Sequence, residues 1–223
     1  GHNTHASVAH TYKIESKIKT PGIYMDIMGN KATAYGFIAA AEKAGLKLFL
    51  GSYPITPATD VLHELSKHKS LGVITVQCED EISGCATAIG ASFAGALAVT
   101  TTSGPGVCLK SEAMNLAVIT ELPLVVLNVQ RGGPSTGLPT KSEQTDLLQA
   151  LFGRNGESPM PVIAATSPTN CFDAAYAACK MALEHMTPVV LLTDGFVANG
   201  SGSWKLPNLD TYPEIKPQYV TPE

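Results

Sequence analysis

The stretch VITVQCEDEISGCATAIGASFAGALAVTTTSGPG, residues 73–106, holds one complete strand–helix–strand pattern. Val73 to Gln77 is a short apolar run, Asp80 to Ala94 has helical spacing behind an acidic start, and Ala96 to Thr101 is a second short run. Two such strands joined through a helix pair in parallel, and strands apolar on both faces are covered on both.

The alternation continues outward. Leu46 to Leu50, Leu124 to Val129, Val162 to Ala165 and Val189 to Thr193 are further strand candidates. Helix candidates lie between and around them. Lys31 to Lys43 follows Asn30 as an N-cap and stops at Gly45, and Ala58 to Lys67 follows Pro57; Leu109 to Ile119, Glu143 to Phe152 and Asn170 to His185 complete the set. The pattern predicts an α/β fold: a doubly wound, mostly parallel six-stranded sheet with helices on both faces. Residues 1–28 read as a lead-in or linker, 29–200 as the domain, and 201–223, with Pro207, Pro213, Pro217 and Pro222, as a tail or linker to a further domain. The opening Gly1-His2-Asn3-Thr4-His5 reads as the processed or engineered start of a fragment.

Composition narrows the function. Of 223 residues, 44% are hydrophobic and only 15% charged, with a net charge of −4. An ordinary domain carries roughly 25% charged residues, so part of this surface is expected to lie against a subunit, a second domain or a cofactor. A mildly acidic chain without a basic run has no footprint for nucleic acid or an anionic membrane. The apolar runs are far shorter than the roughly 18 to 20 residues of a membrane span. Five cysteines (Cys78, Cys85, Cys108, Cys171, Cys179) without a C-x-x-C pair argue against a disulfide framework and against metal or cluster ligation by this chain; a reducing, cytoplasmic setting fits.

In open α/β sheets ligands bind beyond the carboxyl ends of the strands. Four distinctive loops fall there: Tyr53-Pro54-Ile55-Thr56-Pro57, Glu79-Asp80-Glu81, Ser103-Gly104-Pro105-Gly106, and the segment from Arg131 to Gly137. Each also has a plain structural reading. The two prolines either present Thr56 rigidly or only turn the chain into a helix. Glu79 and Asp80 suit a helix N-terminus, whereas Glu81 heads a helix of small residues and could be desolvated. Ser103 to Gly106 lacks the dinucleotide spacing G-x-G-x-x-G. Arg131 either caps carbonyls or pairs with an acid, or grips a carboxylate or phosphate. The histidines (His2, His5, His10, His63, His68, His185) read as solvated.

Together with Gln130 to Lys141, these motifs resemble the α subunit of the 2-oxoacid:ferredoxin oxidoreductases, and the string Gly-Pro-Ser-Thr-Gly-Leu-Pro-Thr is most like the 2-oxoglutarate type. The resemblance covers about Gly29 to Asn199. It implies the pyrimidine-binding domain of a thiamine diphosphate fold, with Tyr53, Pro54, Ile55, Thr56 and Glu81 at the cofactor. It also implies that Glu81 is the carboxylate bonded to the pyrimidine N1′, and that Thr56 and Arg131 orient the 2-oxoacid. No metal is assigned to this chain: Mg2+, the diphosphate site and an iron–sulfur cluster belong, by the same resemblance, to a β subunit. Coenzyme A is the co-substrate, ferredoxin or a similar protein the electron acceptor, and αβ units are expected to pair. The same fold could serve pyruvate or a branched-chain 2-oxoacid, or only scaffold an assembly. An unrelated transferase using Ser103 or Thr56 as nucleophile lacks a nearby histidine base in the sequence.

Overall fold

A computed structural model of the chain describes residues 20–219. After β1 (Tyr24–Met28) and α1 (Gly29–Ala44) come β2 (Leu48–Ser52), α2 (Thr59–Leu65), β3 (Val73–Gln77) and α3 (Glu81–Phe93). The alternation goes on through β4 (Leu97–Thr102), α4 (Gly104–Ile119), β5 (Leu124–Gln130) and α5 (Leu147–Phe152). It closes with β6 (Val162–Ala164), α6 (Asn170–His185), β7 (Pro188–Asp194), α7 (Gly195–Asn199) and β8 (Ser201–Lys205). Six of these strands form one sheet in the order β3-β2-β4-β5-β7-β6, parallel at every pairing. The expected doubly wound fold is the one found.

Each face of the sheet has its own core. Leu48, Leu50, Val99, Val125, Leu127, Val189 and Leu191 pack under α1, α2 and α6, while Ala98, Leu124, Val126, Val190 and Leu192 pack under α3 and α4. Strands β4, β5 and β7 are buried at every position, which is why they read as continuous apolar runs without alternation. The chain leaves β2 toward β3 on one side and returns to β4 on the other. The sheet's switch point therefore lies between β2 and β4, and the crevice between the loops that follow them is where such sheets take ligands.

Four readings of the sequence are corrected. Tyr24–Met28 and Ser201–Lys205, expected as lead-in and tail, pair as an antiparallel ribbon, so the folded unit extends past 29–200 on both sides. Its register places Ile27 and Trp204 inward, and Trp204 meets Phe172 of α6 with ring centroids 5.2 Å apart; neither segment has an apolar run, and their order comes from pairing with each other and from docking on the helices, β1 on α1 and α7 and Trp204 on α6. Asn30 is not the N-cap: it lies inside α1, where its Nδ2 donates to the Pro57 carbonyl at 2.8 Å. Helix α4 starts five residues earlier than expected, at Gly104, with Pro105 in its first turn, so the Ser-Gly-Pro-Gly segment is a helix start. Helix α5 starts only at Leu147, leaving residues 132–146 as loop. The readings of Gly1 to His5, of His10 and of Pro222 fall outside the described residues.

The outer face of α3 and α4 is apolar and uncovered. Ile82, Ala86, Gly90 and Phe93 line one side of α3, and Leu109, Leu116 and Ile119 one side of α4; Phe93 and Ile119 are more than 80% exposed. Among the described residues no helix is long and apolar enough to cross a membrane.

Candidate active site

The start of α3 is fixed by a reciprocal cap. Asp80 Oδ1 accepts from the Ser83 N–H at 2.7 Å and Ser83 Oγ accepts from the Asp80 N–H at 3.3 Å. The Ser83 N–H holds the Asp80 carboxyl below its ordinary range. Asp80 is thereby structural and Glu79 is exposed, as the helix-dipole reading anticipated. Glu81 is different: it is buried, and among the described residues its carboxylate has no hydrogen-bond partner. Gly84, one turn on, lies so close to β2 that a Cβ there would sit 3.2 Å from Ser52 Cα and 3.3 Å from Tyr53 N. This contact draws the head of α3 against the Tyr53 loop.

The first turn of α4 forms the floor under Glu81. A Cβ on Gly106 would collide with Thr102 Oγ1 and stand only 2.8 Å from Glu81 Cγ. Gly106→Ala is therefore expected to cost about 1 to 3 kcal/mol, read by denaturant unfolding, and to displace the Glu81 side chain. A stability within error of the parent would show that this contact is slack.

Arg131 stands at the carboxyl end of β5 and is buried. Its Nη1 donates to the Thr56 carbonyl at 2.7 Å and its Nη2 to the Thr136 carbonyl at 2.6 Å, while Nε is buried without a partner. The carbonyl-capping role left open in the sequence is thus present, and it joins the Thr56 loop to the loop after β5. Thr56 is met through its backbone, and its side chain is exposed. Arg131, Ser135, Thr136, Gly104, Pro105 and Asp146 are among the walls of a cleft of about 450 Å3. Glu81 and Arg131 consequently flank the same first turn of α4, one over Gly106 and the other across the cleft from Gly104 and Pro105. Tyr53 is partly exposed beside them, and Pro54 and Ile55 are half-buried, with Ile55 packed on the core.

A chain of amides behind the cleft, Asn128 and Gln130 buried and Gln144 at the surface, is not signalled by any motif in the sequence. Asn128 Nδ2 donates to Asp146 Oδ2 at 2.9 Å, and Gln130 bridges the Asp146 N–H and the Thr193 carbonyl. Gln144 Nε2 donates to Asp194 at 2.7 Å, and Asp194 caps α7. These contacts seat the long loop after β5 on the ends of β5 and β7. Polar residues at the ends of apolar runs were the available signal. Ser103 Oγ, Asn128 Oδ1 and Thr193 Oγ1 are buried there without partners.

The low charge content is a matter of solvation here. Glu81, Arg131 and Asp194 are buried at this rim, and Asp80, Glu143 and Asp146 are partly buried and hydrogen-bonded, leaving Glu79 and Lys141 solvated. At the opposite edge Glu42, Lys47, Lys69, Glu121 and Glu157 are all exposed.

Fold and rim define a class: a doubly wound α/β domain whose ligand crevice lies at the carboxyl ends of its central strands. The chain matches, over residues 39–223, the family described as pyruvate flavodoxin/ferredoxin oxidoreductase, thiamine diP-binding, and it belongs to that family. It is 58% identical over 212 residues to the 2-oxoglutarate oxidoreductase subunit KorA of Mycobacterium tuberculosis, covering 95% of this chain and 32% of that one. It is 42% identical to the 2-oxoglutarate synthase subunit KorA of Archaeoglobus fulgidus, covering 82% and 52%. Among solved structures it superposes with TM-score 0.82 and 38% identity on the 2-oxoglutarate:ferredoxin oxidoreductase from Magnetococcus marinus with 2-oxoglutarate, coenzyme A and succinyl-CoA bound, covering 88% of this chain and 34% of that one. The chain thus spans a third to a half of the length of these relatives.

Proposed function

We propose that this chain is the pyrimidine-binding part of the α subunit of a 2-oxoacid:ferredoxin oxidoreductase, acting on 2-oxoglutarate with coenzyme A to give succinyl-CoA and CO2. The observation that carries the reading is the largely buried Glu81 side chain, its carboxylate without a hydrogen-bond partner among the described residues, above Gly106 on the first turn of α4 whose Gly104 and Pro105 line the cleft with Arg131.

The residues fit thiamine diphosphate. The carboxylate of a largely buried side chain that has no donor calls for one, and the aminopyrimidine ring supplies a nitrogen that can meet it. Bound, the cofactor supplies the electron sink for decarboxylation of a 2-oxoacid. Glu81 holds a proton at the pyrimidine N1′. Tyr53, Pro54, Ile55 and Thr56 wall the ring, and the two prolines keep that wall stiff. The second N–H on each Nη group of Arg131 is a donor for the carboxylate of the 2-oxoacid, and the low dielectric strengthens it. With its Nη groups tied to two loops, the guanidinium is already oriented when substrate arrives.

The rest of the assembly belongs to the same proposal. A β subunit carries Mg2+, the diphosphate site and an iron–sulfur cluster; ferredoxin or a similar protein accepts electrons, αβ units pair, and the enzyme works in the cytoplasm. The bare apolar faces of α3 and α4 support burial against a partner. The test is acceptor reduction by the full-length subunit with its β subunit, with thiamine diphosphate and coenzyme A, against 2-oxoglutarate, pyruvate and branched-chain 2-oxoacids. Preference for 2-oxoglutarate is expected; preference for another acid overturns the substrate assignment, and inactivity on all of them overturns the function.

A further inference from the structure

Helix α4 buries Val107, Lys110, Ala113, Met114 and Ala117, so a lysine stands in the middle of its apolar stripe. Lys110 is completely buried. Its Nζ donates to the backbone carbonyl of Glu81 at 3.0 Å and to Thr100 Oγ1, on the central strand β4, at 2.9 Å. Among the described residues no carboxylate pairs with it. An ammonium without a counter-ion in the core is costly, and burial pushes its pKa down. Fold stability alone does not account for it, because an apolar side chain of this length would fill the same space without an unpaired charge, leaving only the buried Thr100 hydroxyl without its partner. What Lys110 reaches is the residue whose side chain stands over Gly106, one turn earlier on the same face of α4.

We infer that Lys110 is a positioning residue for Glu81: it ties the first turn of α3 to β4 and α4, fixing the height at which the Glu81 carboxylate meets its ligand. The inference rests on the role proposed above for Glu81. Without this tether the Asp80–Ser83 cap still fixes the helix end and the close approach of Gly84 to Ser52 still seats it on β2, but no side-chain hydrogen bond sets the distance of its first turn from α4.

The test compares Lys110→Met, Lys110→Gln, Glu81→Ala and the Lys110→Met/Glu81→Ala double variant in the full-length subunit assembled with its partner. Thermal unfolding, thiamine diphosphate affinity by calorimetry, and kcat are measured. Lys110→Met is expected to keep or raise the unfolding midpoint while lowering kcat and weakening cofactor binding by about 10- to 100-fold, the scale of a small misplacement of a reacting group. Lys110→Gln, which keeps neutral donors, recovers part of that loss. The double variant is no worse than Glu81→Ala, since both changes act through one carboxylate. Should Lys110→Met fail to assemble, Lys110→Gln carries the comparison against the parent and Glu81→Ala. The inference is overturned if kcat and affinity stay within about twofold of the parent, or if their loss follows a lowered midpoint and adds to that of Glu81→Ala. Glu81→Ala at parental activity sinks the functional reading and this inference together; parental activity in Lys110→Met beside an inactive Glu81→Ala sinks this inference alone.

Discussion

Glu81→Ala in the proposed oxidoreductase assembly is expected to lower kcat for 2-oxoacid decarboxylation by about 1,000-fold, within the range for removing a proton-transferring group. The subunit itself is expected to stay folded. In the free chain the Glu81 carboxylate makes no hydrogen bond among the described residues, so its removal leaves no orphaned donor behind, and the Asp80–Ser83 cap still fixes the helix start. A loss of rate without a loss of stability is therefore the signature, read by steady-state acceptor reduction beside a thermal melt. Glu81→Gln separates charge from shape, because the amide fills the same volume over Gly106 but cannot cycle a proton. If the alanine variant decarboxylates at the parental rate, Glu81 has no part in the chemistry.

Arg131→Lys is expected to lower kcat/KM by about 100-fold, the scale of removing a preorganised donor to a charged group. Lysine keeps the charge and loses the fork. In this structure one guanidinium holds the Thr56 and Thr136 carbonyls together and still has a second N–H on each Nη, a geometry that a single ammonium cannot reproduce. The loss should therefore appear in KM for the 2-oxoacid as well as in kcat, while thiamine diphosphate affinity changes far less. Steady-state constants across a series of 2-oxoacid concentrations check this, and values within about twofold of the parent would remove Arg131 from substrate binding.

Much of this was legible in the chain. β4, β5 and β7 are apolar on both faces because both are covered, and that burial leaves a pattern only a parallel sheet explains. The four loops at the strand ends stood out because prolines, glycines and isolated charges are locally conspicuous. The β1–β8 ribbon did not, since its order comes from the pairing of two distant segments and from docking on the helices, as Trp204 does on Phe172, some thirty residues away in sequence. The start of α4 was hidden because Ser103 to Gly106 has the composition of a turn, while its backbone continues into the helix.

The sequence by itself determined the doubly wound sheet, the rim on which Thr56, Glu81 and Arg131 gather, and the family resemblance, because periodicity and local loop chemistry are written along the chain. Only the tertiary structure decided what those residues touch. That Arg131 holds two loops through their carbonyls, that Glu81 stands without a partner above Gly106, and that Lys110 reaches back to it from the next helix all depend on distances across the crevice. Such contacts join residues 25 to 75 positions apart, and burial, which turns an ordinary charge into a costly one, exists only once the helices have closed on the sheet.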